Sequence, residues 1–163
     1  MSATEIHTYL RDHLAGAAGA IALMQHVEHA YADSGVALLM TNVRRDVEQD
    51  RDTLVRIAAA LGAHESTPRT LSGWLGEKFA ELKLRLDGGK AGPLHLLEAL
   101  EAIGMGIDGK LALWSALRTV AASRAALESD DFELLIQRAR DQRARVESAR
   151  LEAAREVFGT EVA

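Results

Sequence analysis

Apolar residues recur every three or four positions along four long segments of this 163-residue chain. They nowhere alternate as they would in a half-buried strand. Turn-forming residues separate the first two segments at Asp33-Ser34-Gly35. The second segment stops at Gly62, a residue type that commonly ends helices. The third begins at Gly92-Pro93 and the fourth at Ser129-Asp130-Asp131, both of which suit helix starts. The spacing predicts helices over about residues 3–32, 35–62, 93–122 and 130–158.

The four predicted helices pair naturally into two hairpins. The first two are similar in length and joined by a tight turn, so they are expected to lie antiparallel, as are the last two. Residues 63–92 form the long connection between the hairpins. Apolar residues including Trp74, Phe79 and Leu82 predict a short amphipathic helix within it, over about residues 72–87. The sequence therefore predicts an all-α fold in a single domain, residues 1–163, with two antiparallel helical hairpins joined by a long crossover that carries a short extra helix.

Composition excludes several classes of protein. The chain has no cysteine, so disulfides, thiolate zinc sites and cysteine nucleophiles are ruled out. The Met1–Leu14 start lacks the basic and apolar regions of a signal peptide, and no stretch approaches the roughly 20 apolar residues that span a bilayer. A net charge of −5 argues against nucleic acid as a partner. We therefore expect a cytoplasmic protein.

A weak internal repeat relates the two hairpins. A shift of ninety positions brings Gly16 onto Gly106 and Gly19 onto Gly109. Each glycine inside a helix costs about 1 kcal/mol relative to alanine. Small residues at matching places in both hairpins therefore predict close contact between neighbouring helices at these points.

The helix order and the repeat together resemble those of the ferritin-like superfamily of four-helix bundles, over nearly the whole chain. Two short strings, Leu10–Leu14 and Asp108–Trp114, are similar to segments of bacterial ferritin-like proteins whose function is unknown. The resemblance implies a bundle with one long crossover. The two strings carry no known chemistry, so they inform the fold more than the function.

Metal-binding members of that superfamily need a glutamate from each of two helices and a Glu-x-x-His pair from each of the other two. The pair works because residues three apart share one helix face. Of the six histidines in the chain, none falls in the second or the fourth predicted helix. In the second helix, Glu48 is followed by Arg51 where a histidine would be needed. The sequence thus predicts that the usual di-iron site is absent.

Four polar residues nevertheless lie on or beside the apolar stripes: His13, Asp50, Glu101 and Asp108. A buried carboxylate costs several kcal/mol unless it is paired. Two interpretations stay open. In the first, these residues form a polar layer in which His13 pairs with Asp50, and Asp108 pairs with a nearby arginine or Lys110. In the second, His13, Asp50, Glu101 and Asp108 build an unconventional, carboxylate-rich site for iron or manganese.

Three other patterns have simpler explanations. Gly104–Gly109 matches the dinucleotide fingerprint, which works only between a strand and a helix, whereas here both flanks are helical. His26 and His29 have chelating spacing but face away from the apolar stripe. Basic residues flank the apolar face of the crossover helix, yet such helices more often pack on protein than on a membrane. We expect no nucleotide cofactor and no membrane contact.

No catalytic constellation is present in the sequence, so we do not expect an enzyme. The preferred hypothesis is a ferritin-like bundle without a di-iron centre, serving as a binding or structural protein and forming a homodimer. The alternative is a metal-dependent redox or storage protein that uses the four-residue site above.

Overall fold

The computed structural model describes residues 3–63 and 92–159, together with five helical residues between them, Glu77, Ala80, Glu81, Leu82 and Leu84. These ranges contain helices and no strand. The long helices are α1 (Ala3–Ala30), α2 (Gly35–Ala60), α3 (Pro93–Ala121) and α4 (Phe132–Phe158), and a 3-10 turn (Ala125–Leu127) precedes α4.

The predicted all-α fold and its four long helices are confirmed, each end lying within two residues of the expected position. The short helix expected over residues 72–87 falls mostly outside the described residues. The 3-10 turn before α4 was not predicted.

Local side-chain chemistry explains where the helices start. The Ser34 hydroxyl accepts a hydrogen bond from the Ala37 backbone N–H at 3.2 Å and so caps α2. Before α4, Asp131 Oδ1 accepts from the Leu134 N–H at 3.0 Å. Pro93 opens α3, where its missing N–H costs nothing.

The end of α2 also follows from its sequence. Gly62 adopts a positive φ of 79°, which glycine reaches without steric cost. The Gly62 N–H then donates to Ala59 O at 3.0 Å, and the Ala63 N–H donates to Ala58 O at 2.8 Å. These two bonds satisfy carbonyl groups that the helix end would otherwise leave unpaired.

Contacts between helix ends give the direction of each helix. α1 packs against α2 and α3, and α4 packs against α2 and α3. The Tyr31 hydroxyl after α1 donates to Gly92 O before α3 at 2.9 Å. Arg56 near the end of α2 forms an ion pair with Asp130 before α4. Each helix is therefore antiparallel to both of its neighbours, and the pairs α1/α4 and α2/α3 lie across the diagonals.

The connection between the hairpins starts and finishes at opposite ends of α1. His7 near the start of α1 donates from Nε2 to Leu61 O at 2.9 Å, which places the end of α2 there. Gly92, which directly precedes α3, lies beside Tyr31 at the other end of α1. Leu82, from between the hairpins, is fully buried in the same core as the four helices.

Two of the four glycines that the sequence placed at close helix contacts, Gly16 and Gly109, do not lie at such contacts. A Cβ atom added at Gly16 or Gly109 would meet no heavy atom within 4 Å, so the expectation of close packing is wrong at both positions. It stays a prediction for Gly19 and Gly106. Within α3, Gly104 is buried, and a Cβ there would lie 3.3 Å from Arg143 Cζ.

We predict that Gly16→Ala and Gly109→Ala each raise the free energy of unfolding by about 0.5–1 kcal/mol, because alanine favours the helix and its methyl group meets open space. Gly62→Ala is the matched control and should lower it by about 1–2 kcal/mol, because a Cβ is strained at positive φ. Urea denaturation measures all three. Destabilisation by Gly16→Ala would show that this part of α1 is tightly packed after all.

Candidate functional site: a buried ion pair at the bundle centre

An aspartate interrupts the apolar row of α2. The buried residues of this helix recur at helical spacing and include Val47, Asp50 and Leu54. The Asp50 residue is only 1% exposed. Asp50 therefore projects into the bundle interior from a helix that is apolar on the same face.

Lys110 of α3 and Gln142 of α4 surround the Asp50 carboxylate. Lys110 Nζ donates to Asp50 Oδ2 at 2.6 Å and also to Gln142 Oε1. Gln142 Nε2 donates to the same Asp50 Oδ2 at 3.0 Å. Three side chains from three helices thus form a closed ring of hydrogen bonds, which we call the central triad. Gln142 is as buried as Asp50, and the Lys110 side chain is 13% exposed.

Burial and pairing act on Lys110 in opposite directions. Removal from water lowers the pKa of the ammonium, whereas the charge and hydrogen bond of Asp50 raise it, and the net direction is downward. Asp50 is thus the group that most favours the charged form of Lys110. The two residues depend on each other, because each supplies the hydrogen-bonded counter-charge of the other in the core.

Arg138 of α4 adds a second positive charge at the outer edge of the triad. Its NH2 atom lies 3.2 Å from Asp50 Oδ1, an ion-pair distance. The geometry is not that of a hydrogen bond, since Asp50 Oδ1 has no hydrogen-bond partner. Arg138 instead donates to Gln49 Oε1 at 3.1 Å and to Asp46 O at 3.4 Å. The carboxylate is therefore flanked by two cations.

The pairing expected between His13 and Asp50 is not formed. The hydrogen-bond and ion-pair partners of Asp50 come from α3 and α4. His13 of α1 instead lies edge-on to the Tyr9 ring, with centroids 4.6 Å apart, and burial lowers the pKa of its imidazole. The prediction failed because helical spacing places Asp50 on the core face without specifying which helix supplies its partner.

Two of the three acidic residues of α3, Glu101 and Asp108, point into the seam with α4. Asp108 Oδ2 accepts from Arg143 Nε at 3.2 Å, so its partner is the expected nearby arginine. Glu101 Oε1 lies 3.5 Å from Arg150 NH1. Glu147 joins these arginines by accepting from both, and their hydrogen bonds, Arg150 first, lower the pKa of its carboxyl group to about 2. This seam is partly solvated and separate from the triad.

The structure does not bring His13, Asp50, Glu101 and Asp108 together. Across the described ranges, no group of three or more histidine, aspartate or glutamate side chains is placed to hold a metal ion. Asp50 faces a lysine and a glutamine, and Glu101 and Asp108 face arginines.

The sequence contained a signal for the triad that the sequence analysis missed. Gln142 continues the buried row of α4 between Ala139 and Val146. Lys110 stands at helical spacing between Ile107 and Trp114, both buried. Lys110 and Gln142 are thus polar residues that lie in the apolar rows of α3 and α4. Their positions indicate that they face the bundle interior and could pair with Asp50.

The glycine-rich string at residues 104–109 lies within α3 and is helical throughout. It therefore lacks the strand-to-helix turn on which dinucleotide binding depends. No helix in the described parts of the chain is both long and apolar enough to cross a bilayer.

Comparison with protein-family models, with curated proteins and with solved structures gives no match. The interpretation of the site accordingly depends on the geometry of the central triad and its surroundings.

We predict that Lys110→Met lowers the free energy of unfolding by about 3–5 kcal/mol, because the buried Asp50 carboxylate then loses its hydrogen-bonded cation and keeps only Arg138, which makes no hydrogen bond to it. The triple variant Asp50→Leu/Lys110→Met/Gln142→Leu should recover most of that loss, since it removes every member of the ring. Urea midpoints at neutral pH measure both effects.

Arg118→Met is the control for the loss of an exposed ion pair. Its partner is Glu133, and the two side chains are 47% and 71% exposed, so the variant should cost no more than about 1 kcal/mol. A Lys110→Met variant no less stable than Arg118→Met would show that the triad is not a buried, mutually dependent unit.

Proposed function

We propose that this chain is a ferritin-like bundle whose centre is occupied by the ammonium group of Lys110. We further propose that it acts as a homodimeric binding or structural protein in the cytoplasm and catalyses no reaction. The observation that carries the proposal is the position of Lys110 Nζ. It lies between oxygen atoms of Asp50 and Gln142, near the bundle axis.

The helix arrangement supports the ferritin-like part of the proposal. Each helix is antiparallel to its two neighbours. The connection between the hairpins starts beside one end of α1 and finishes beside the other. A bundle with one long connection of this kind is what ferritin-like folds use.

Electrostatics supports a centre that does not take up a metal ion. Iron and manganese sites in such bundles are built from several carboxylates with imidazoles. Here one carboxylate already balances the Lys110 ammonium, and Arg138 lies 3.2 Å from its other oxygen. A divalent ion placed there would meet two fixed positive charges, and repulsion in a low-dielectric interior is severe.

If the bundle centre binds no metal ion, the outer surfaces of the helices are where the protein would bind a ligand or partner. The charged and amide groups of the central triad bind one another, so recognition of a ligand or partner falls to the faces of the helices. This supports a binding or structural role in preference to a redox or storage role.

We predict that untagged protein from cells grown with added iron and manganese contains well below one equivalent of iron, manganese or zinc per chain, and shows no ferroxidase activity. Inductively coupled plasma mass spectrometry measures the metals. A known di-iron protein carried through the same purification controls for loss of metal. One tightly held ion per chain that disappears in Asp50→Ala would overturn the proposal and restore the metal-binding alternative.

A further inference from the structure

Two buried polar atoms in the core have no hydrogen-bond partner among the described residues. Asp50 Oδ1 is an acceptor and Trp114 Nε1 is a donor. Asp50 is 1% exposed and Trp114 is fully buried, so bulk solvent does not reach either side chain. Buried polar groups in proteins are nearly always hydrogen-bonded, either to protein or to ordered water. Each of these two atoms therefore points to a partner that is not a protein group.

Lys110 connects the places of the two atoms. Its Nζ lies 2.6 Å from Oδ2 of the same Asp50 carboxylate. Trp114 follows Lys110 by one turn of α3, so the two side chains share a face of that helix, with Cβ atoms about 5–6 Å apart. The ammonium has three N–H groups, of which two donate to Asp50 and Gln142, and the third is available. One acceptor and two donors thus lie around the same part of the core.

We propose that the bundle centre binds an internal water molecule, which donates a hydrogen bond to Asp50 Oδ1 and accepts hydrogen bonds from Lys110 Nζ and Trp114 Nε1. Water both donates and accepts, so a single molecule satisfies an orphaned acceptor and an orphaned donor. Buried waters typically make about three hydrogen bonds to protein groups that would otherwise be unsatisfied, which is the number that these side chains supply.

The charges around Asp50 Oδ1 favour a neutral ligand. Lys110 Nζ lies beside the carboxylate, and Arg138 NH2 is 3.2 Å from Oδ1, so a metal cation would be repelled by both. An anion could not donate to the carboxylate and would be repelled by it. Arg138 itself donates to Gln49 Oε1 and Asp46 O, and these bonds occupy its guanidinium. The inference goes beyond the proposed function, which names nothing that the centre binds.

The test is the crystal structure of the wild-type protein, grown without added metal, at a resolution that shows individual water molecules. We expect an electron-density peak at about 2.7–3.2 Å from both Asp50 Oδ1 and Trp114 Nε1. The proposal is overturned by a core without such a peak, in which Arg138 or another protein group donates directly to Asp50 Oδ1.

Nuclear Overhauser spectroscopy tests the same site in solution. The indole N–H signal of Trp114, identified by its loss in Trp114→Phe, should show a cross peak to water with the sign of a long-lived bound molecule. The variant Asp50→Leu/Lys110→Met/Gln142→Leu removes the acceptor and one donor, so the cross peak should disappear while the indole signal remains. Arg118→Met is the matched control, because it breaks only an exposed ion pair and should keep the cross peak.

Each outcome decides the proposal. A cross peak of unchanged intensity in the triple variant would show that the triad does not hold the water, and an absent cross peak in the wild type would show that no long-lived water is bound. If the triple variant does not fold, the wild-type electron density decides alone, and it also distinguishes a water from the exchanging ammonium protons of Lys110. A metal ion at about 2.0–2.6 Å from the carboxylate would overturn both this inference and the proposed function, whereas a dry core without metal would overturn the inference alone.

Discussion

The buried ion pair between Asp50 and Lys110 is the interaction on which the arrangement of this bundle depends. It joins α2 to α3, two helices that lie across a diagonal and pack mainly against α1 and α4. Gln142 closes the ring from α4. Replacement of such a pair by apolar residues is often neutral or stabilising, whereas removal of one partner is costly. The three helices therefore depend on one another. Rotation or sliding of α2 or α3 would strand a charge in the core, and displacement of α4 would leave the buried Gln142 amide without its partners.

Weaker polar contacts surround this centre. Arg44 joins α2 to α1 through Glu28, and Arg143 joins α4 to α3 through Asp108. Partly exposed pairs of this kind contribute little energy individually. They do fix the register of each antiparallel pair at the surface, in agreement with the register that the triad sets inside.

The helix bounds were predictable because their causes are local. Ser34, Asp131 and Gly62 act on residues within a few positions of themselves, so the sequence contains the whole interaction. The partner of Asp50 was not predictable in the same way. It depends on how each helix is rotated about its axis, and Asp50 proved to meet α3 and α4 where His13 of α1 was expected. The prediction of close helix packing at Gly16, which was based on the internal repeat, was wrong for the same reason. Matching positions in a sequence do not show which residues lie opposite them.

The most direct test of the account is X-ray diffraction from crystals soaked in ferrous or manganous salt, recorded at the absorption edge of the metal. Anomalous scattering locates bound metal independently of the protein electron density. We expect Lys110 Nζ in contact with Asp50 and Gln142, and no anomalous peak at the bundle centre. An anomalous peak bonded to the Asp50 carboxylate, with the Lys110 side chain displaced, would contradict it.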